Sequence, residues 1–209
     1  MKNNKKLAYA ALAVFASSAY AEGVAPEFNG KGTASVEVRN TLDIVETASL
    51  NFGTIAAVAG NDTTMATLKL DPASGEVTAA SVTAAEGKKA GSITPIDKTN
   101  VSPGTFTVSN AARYTDLNID LTQTKDVELK MDNAAPESLF FTLTDFDVVA
   151  NEKPVTLASN KGKAKTDGTG ILLLRVGATL NTTTTKNTAG TEPYLDAEYK
   201  GEYAVTISY

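Results

Sequence analysis

Along most of this chain apolar and polar residues alternate with a period of two. That period sets large side chains on one face of a β-strand and small or polar ones on the other. It is clearest in the last stretch, where Tyr203, Val205, Ile207 and Tyr209 alternate with Ala204, Thr206 and Ser208. These larger residues are β-branched or aromatic and suit a half-buried pleated surface. The expectation is that this final strand completes a sheet.

The same reading applies from the start of the chain. Val36 and Val38 alternate with Ser35, Glu37 and Arg39, which predicts a first strand that Leu42 and Ile44 extend or follow. Residues 50–55 read as a short apolar strand, and Gly53 inside it signals a bulge or a close backbone approach. Ala66, Leu68 and Leu70 alternate before Asp71-Pro72-Ala73-Ser74-Gly75. Proline presets φ there and glycine tolerates φ > 0, so a hairpin into Glu76-Val77-Thr78 is expected. Residues 79–91 are alanine-rich, but Thr78, Ser81, Val82 and Thr83 favour a loop or irregular strand over a helix.

Ser102-Pro103-Gly104 reads as a further turn, followed by strands at Phe106 and Val108, at Leu117, Ile119 and Leu121, and at Val127, Leu129 and Met131. Residues 139–149 form the longest apolar strand candidate. Asp167-Gly168 marks a turn. Leu172, Leu174, Val176, Ala178 and Leu180 share one parity and are assigned to the core, together with Phe52 and Phe106. The threonine-rich residues 181–191 read as a solvated loop. Eight to ten short strands with turn signals between them predict an all-β sandwich or barrel.

The first 21 residues read as an address, not as part of the fold. Lys2, Lys5 and Lys6 precede an apolar run over residues 7–16 that is too short to span a bilayer. Ala19-Tyr20-Ala21 fits a small-x-small cleavage site. The expected organisation is a signal peptide over 1–21, a flexible arm over 22–33 and one β-sandwich domain over 34–209. Export to the periplasm, cell surface or medium follows. Without the leader's three lysines the net charge of −5 becomes about −8. Such a surface repels nucleic acid and anionic headgroups, and no apolar stretch after the leader is long enough for a membrane helix.

Cysteine and histidine are both absent. The first absence removes disulfides, so the core must hold the domain together. The second removes a Ser-His-Asp triad, a Cys-His dyad and histidine metal ligation. Asp145 and Asp147 stand at i and i+2, facing one way on a regular strand, but two ligands fall short of what Ca²⁺ takes. Paired carboxylates for glycoside hydrolysis lack an accompanying sugar-stacking surface, since tryptophan is absent and few aromatics cluster in the sequence. Asn181-Thr182-Thr183 matches a glycosylation sequon of three residues, which carries little information. No catalytic, cofactor-binding or metal-ligating residue is assigned, and no enzyme is expected.

Four motifs occur in order: Leu50-Asn51-Phe52-Gly53-Thr54-Ile55, Pro103-Gly104-Thr105-Phe106-Thr107-Val108, Arg175-Val176-Gly177-Ala178-Thr179-Leu180, and the closing Tyr199-Lys200-Gly201-Glu202-Tyr203-Ala204-Val205-Thr206-Ile207-Ser208-Tyr209. The set resembles the bacterial domain-of-unknown-function family DUF4402, which is similar to spore-coat-U and archaic chaperone–usher pilins. The resemblance implies an Ig-like, pilin-like antiparallel sandwich without catalytic residues. It also implies a fimbrial or surface-structure role, with other surface subunits or a periplasmic chaperone as partners. Two departures stand out. Spore-coat-U-type pilins usually hold a disulfide, and the arm here offers only Val24, Pro26 and Phe28 as a strand to donate.

The function expected is a secreted structural or adhesive surface protein. The alternatives are an outer-membrane β-barrel, whose strands run to about 9–11 residues with aromatic girdles, and a carbohydrate-binding module. Detergent-free solubility and a glycan array separate the three.

Overall fold

A computed structural model of the chain describes residues 32–36, 41–80, 82–124, 127–185 and 190–209. The expected leader, most of the arm and Val38 lie outside the described residues. The chain divides into two compact units, Met1–Val38 and Arg39–Tyr209. In the first, residues 32–36 have no regular structure and Val36 is 88% exposed, so the strand expected at Val36 does not form there.

The regular structure of the second unit is almost wholly strand. In chain order they are β1 (Asp43–Ala48), β2 (Thr54–Ala59), β3 (Thr67–Leu70), β4 (Val77–Ala80), β5 (Ser92–Asp97), β6 (Gly104–Ser109) and β7 (Asp116–Asp120). A single 3₁₀ turn over Thr122–Thr124 comes next. There follow β8 (Val127–Met131), β9 (Phe141–Ala150), β10 (Lys153–Val155), β11 (Lys161–Lys165), β12 (Leu172–Thr182), β13 (Glu192–Pro193), β14 (Tyr199–Lys200) and β15 (Thr206–Ser208).

The spine is β12. Its first half pairs with β6 and its second half with β3 on one side, while β9 runs along the other. Strands β1, β8 and β14 complete the large antiparallel sheet in the order β1-β6-β12-β9-β8-β14, with β10 beside β9 and β4 beside β3. Two three-stranded sheets, β11-β7-β15 and β13-β2-β5, supply the facing layer. Their Leu117, Ile119 and Ile93 join one apolar core with Leu68, Leu70, Val108, Leu143 and Phe146 of the large sheet. The parity of β12 holds throughout: Leu172, Leu174, Val176, Ala178 and Leu180 are all buried, and Leu173 between them is 40% exposed. The fold is the expected all-β sandwich. Of the expected core, Phe52 is buried and Phe106 is half-buried against it.

Turn chemistry sets the connections. The hairpin over Asp71–Gly75 forms as expected, with the Asp71 carboxylate accepting the N–H of Ala73 at 2.8 Å and Gly75 at φ 74°. Strands β9 and β10 are joined by Asn151-Glu152, both at positive φ. Ser159-Asn160 does the same before β11. Paired positive φ values match the right-handed twist of a two-residue hairpin.

In β9, Thr144 faces Thr179 and Asp147 faces Gly177, so Asp145 and Phe146 together oppose Ala178. This is a β-bulge with Asp145 at φ 47°. It resets the alternation, so Leu143 and Phe146, three apart, are both buried.

Four expectations change. Residues 50–55 are not one strand: Asn51 bridges Ser102, Gly53 turns at φ 77°, and β2 starts at Thr54 in another sheet. Gly53 is needed there because a β-carbon would overlap the Asp97 carbonyl. Ser102-Pro103-Gly104 is extended backbone leading into β6, not a turn. Asn181 and Thr182 end β12, and Thr182 and Thr185 are buried, because their polar groups find backbone partners. The last stretch divides: Tyr199 and Lys200 pair with β8 of the large sheet, while β15 keeps three residues on β7. Tyr203, Val205 and Ile207 still pack on the core, but Tyr209 is exposed.

Candidate functional site: an open strand edge

Each sheet ends in edges, and those edges differ in how they are protected. An unpaired edge is a template for another strand, and proteins blunt it with lysine, proline or bulges. Strand β11, at one end of its sheet, carries Lys161, Lys163 and Lys165 on alternate positions, registered against Asp120, Asn118 and Asp116 of β7. Lys161 lies 2.9 Å from Asp120 and Lys165 3.8 Å from Asp116. Strand β5 carries Pro95, which has no N–H to offer.

Strand β15 closes the other end of the β11-β7-β15 sheet. Thr206, Ile207 and Ser208 pair with Asp120, Ile119 and Asn118, and no strand lies on its far side among the described residues. It has neither lysine nor proline. Strand β1 is likewise the last strand of the large sheet, paired with β6 alone.

Side chains directly opposite one another in an antiparallel pair share a face. Ile44 faces Val108 and Glu46 faces Phe106. Val108 is fully buried, and Phe106 packs on the core. Ile44 and Glu46 therefore lie on the inner side of the large sheet, yet Ile44 is 40% exposed and Glu46 is also exposed. Among the described residues no strand covers these inner positions of β1, and they meet solvent.

Tyr203, just ahead of β15, reaches across to the large sheet. Its ring meets Phe106 edge-on at 6.0 Å and Phe146 at 5.7 Å. Its hydroxyl is buried with no hydrogen-bond partner, beside Gly104. Burial pushes the Tyr203 phenol well above its ordinary value, and the charge of Glu46 pushes it further the same way. The register against Phe106 places Glu46 on the inner face of β1, at the solvent-exposed edge. Tyr203, Val205 and Ile207 are half-buried in one row, with Ala204, Thr206 and Ser208 exposed between them.

The other residues weighed from sequence are not gathered into a site. Asp147 lies 2.7 Å from the Lys69 ammonium, and Thr144 donates its hydroxyl to Asp145 at 3.0 Å. The hydrogen bond and charge of Asp147 raise Lys69 above its ordinary value, with Asp71 and Asp145 adding to it. The cation beside Asp147 is thus a lysine. No group of three metal-capable side chains occurs among the described residues. The Asn181 amide is buried in β12 and donates to the Thr142 carbonyl at 3.2 Å and the Thr144 hydroxyl at 3.0 Å, so it is not a surface sequon.

A second aromatic group lies at the other end of the large sheet. Tyr194 stacks on Phe141 at 4.1 Å, and Tyr199 meets both rings edge-on. The Tyr194 hydroxyl donates to the Phe140 carbonyl at 3.0 Å and accepts the N–H of Thr183 at 2.8 Å. These bonds anchor the segment after β12.

Among the described residues no helix is long and apolar enough to cross a membrane. No family model matches the chain, and no curated protein or solved structure is significantly similar to it.

Proposed function

We propose that the chain is an exported, non-enzymatic structural or adhesive surface module of the fimbrial-subunit kind. In this reading it joins its neighbours by accepting an extended segment beside β15. The observation that carries the reading is the contrast between edges: lysines on β11 and a proline on β5, against an unguarded β15 and exposed inner positions on β1. An added strand satisfies the edge's backbone groups and covers Ile44 and Ile207, the two gains that drive strand addition. The absence of histidine and cysteine removes histidine-based triads, cysteine nucleophiles and histidine-metal ligation. The basic, then apolar, first residues support export.

Size-exclusion chromatography of secreted material, with electron microscopy of the cell surface, tests the reading. Linear assemblies containing this chain are expected. Chain found solely as a cytoplasmic monomer would contradict it.

A further inference from the structure

Three residues of β15 offer few hydrogen bonds to an added strand. Each adds little net affinity, because it replaces a bond that the same group makes to water. Backbone pairing is also blind to sequence. Discrimination at this edge must come from the side chains that an incoming strand lays inward.

The inner side chains linked to this edge are nearly all apolar: Tyr203, Val205 and Ile207, the Phe106 ring that Tyr203 touches, and Ile44 on the strand paired beside it. Glu46 is the exception. It is the single acid at the inner-facing positions of β1, between Ile44 and the irregularity at Thr47, and it has no ion-pair partner among the described residues. In the open edge its carboxylate is solvated. A strand laid over it with an aliphatic side chain would strip that water and return nothing, which is costly for a charge. A strand that brings an ammonium or guanidinium would replace the water with a charge-assisted bond.

We infer that the open edge selects an extended peptide segment of another chain that carries a lysine or arginine at the inward position facing Glu46, amid alternating apolar residues. The inference rests on the strand-accepting reading above and names the chemistry of the partner. Glu46 then works in both directions, rejecting uniformly apolar strands and welcoming a cationic one. The chain's negative net charge favours the same partner at longer range.

The test uses the full secreted chain and synthetic peptides of alternating valine and threonine. One valine at a time is replaced by lysine, norleucine or glutamate, and binding is read by fluorescence anisotropy at two salt concentrations. The best-placed lysine peptide is expected to bind about tenfold tighter than its norleucine counterpart. That preference should vanish in Glu46→Gln, whose melting temperature checks that the exposed substitution leaves the fold intact. Peptides that bind with no preference for lysine, or a preference that survives Glu46→Gln, would overturn the inference and leave the strand-accepting reading standing. Binding by none of the peptides would overturn both.

Discussion

The hydroxyl of Tyr203 occupies the space that a β-carbon on Gly104 would need. The first residue of β6 and the aromatic ahead of β15 are thus fitted to each other across the two layers. Gly104→Ala forces Tyr203 out of its place between Phe106 and Phe146 and is expected to cost about 1–3 kcal/mol by overpacking. Tyr203→Phe removes a buried hydroxyl that has no partner and should be neutral or slightly stabilising. It should also recover part of the Gly104→Ala loss. Chemical denaturation of the two single variants and the double variant measures this coupling, and strict additivity would refute the contact.

The central strand gives a sharper contrast. Leu174 is fully buried and its neighbour Leu173 is 40% exposed. Leu174→Ala should cost about 2–5 kcal/mol, from lost burial and an unfilled cavity. Leu173→Ala should stay within about 0.5 kcal/mol. Equal shifts in urea midpoint would mean that the parity of β12 is misassigned.

The bulge in β9 makes a conformational prediction. Asp145 holds φ 47°, a region that costs a β-branched residue about 1–2 kcal/mol. Asp145→Val should destabilise by that order, and Asp145→Gly should not, because glycine enters the region without a steric penalty. Thermal melts of both variants check it.

Acid sensitivity follows from a repeated turn. Asp97, Asp120 and Asp167 each accept, through Oδ1, the backbone N–H of a threonine two residues on at 2.8 Å and its hydroxyl at 2.6–2.7 Å. The threonine hydroxyl is the largest cause of each lowered carboxyl pKa, and for Asp120, which also meets Lys161, the value falls to about 2. A folded pKa below the unfolded one means stability that is present above the unfolded value of 3.8 and lost as pH falls toward 2. Urea midpoints should be flat above about pH 5 and drop below about pH 4. Asp120→Asn should shrink the part of that drop due to this site.

Much of the sandwich is legible in the sequence because burial and alternation coincide there. Leu172 to Leu180 keep one parity over a strand buried on its inner face, and Pro72 with Gly75 mark a hairpin by their φ preferences. Strand β11 escapes such a reading because its inner residues are Gly162 and Ala164, too small to make an apolar signal beside three lysines. The turns at Asn151-Glu152 and Ser159-Asn160 escape it because the glycine that normally marks a paired positive-φ turn is absent. Residues 203–209 read as one strand because their alternation continues after the pairing has shrunk to β15.

The open edge is legible only in part. The row of Tyr203, Val205 and Ile207 is visible in the sequence. The place of Glu46 on the inner face of β1 depends on its register against Phe106, which joins residues far apart in the chain. Edge protection is likewise a property of strand order, which local pattern does not encode.

The most direct measurement is amide hydrogen exchange at Thr206, Ile207 and Ser208, in assembled material from the cell surface and in the dissociated chain. Amides facing the open side of β15 should exchange quickly in the dissociated chain and become strongly protected in the assembly, while core strand β12 stays protected in both. Equal exchange at β15 in the two states would contradict strand addition at this edge.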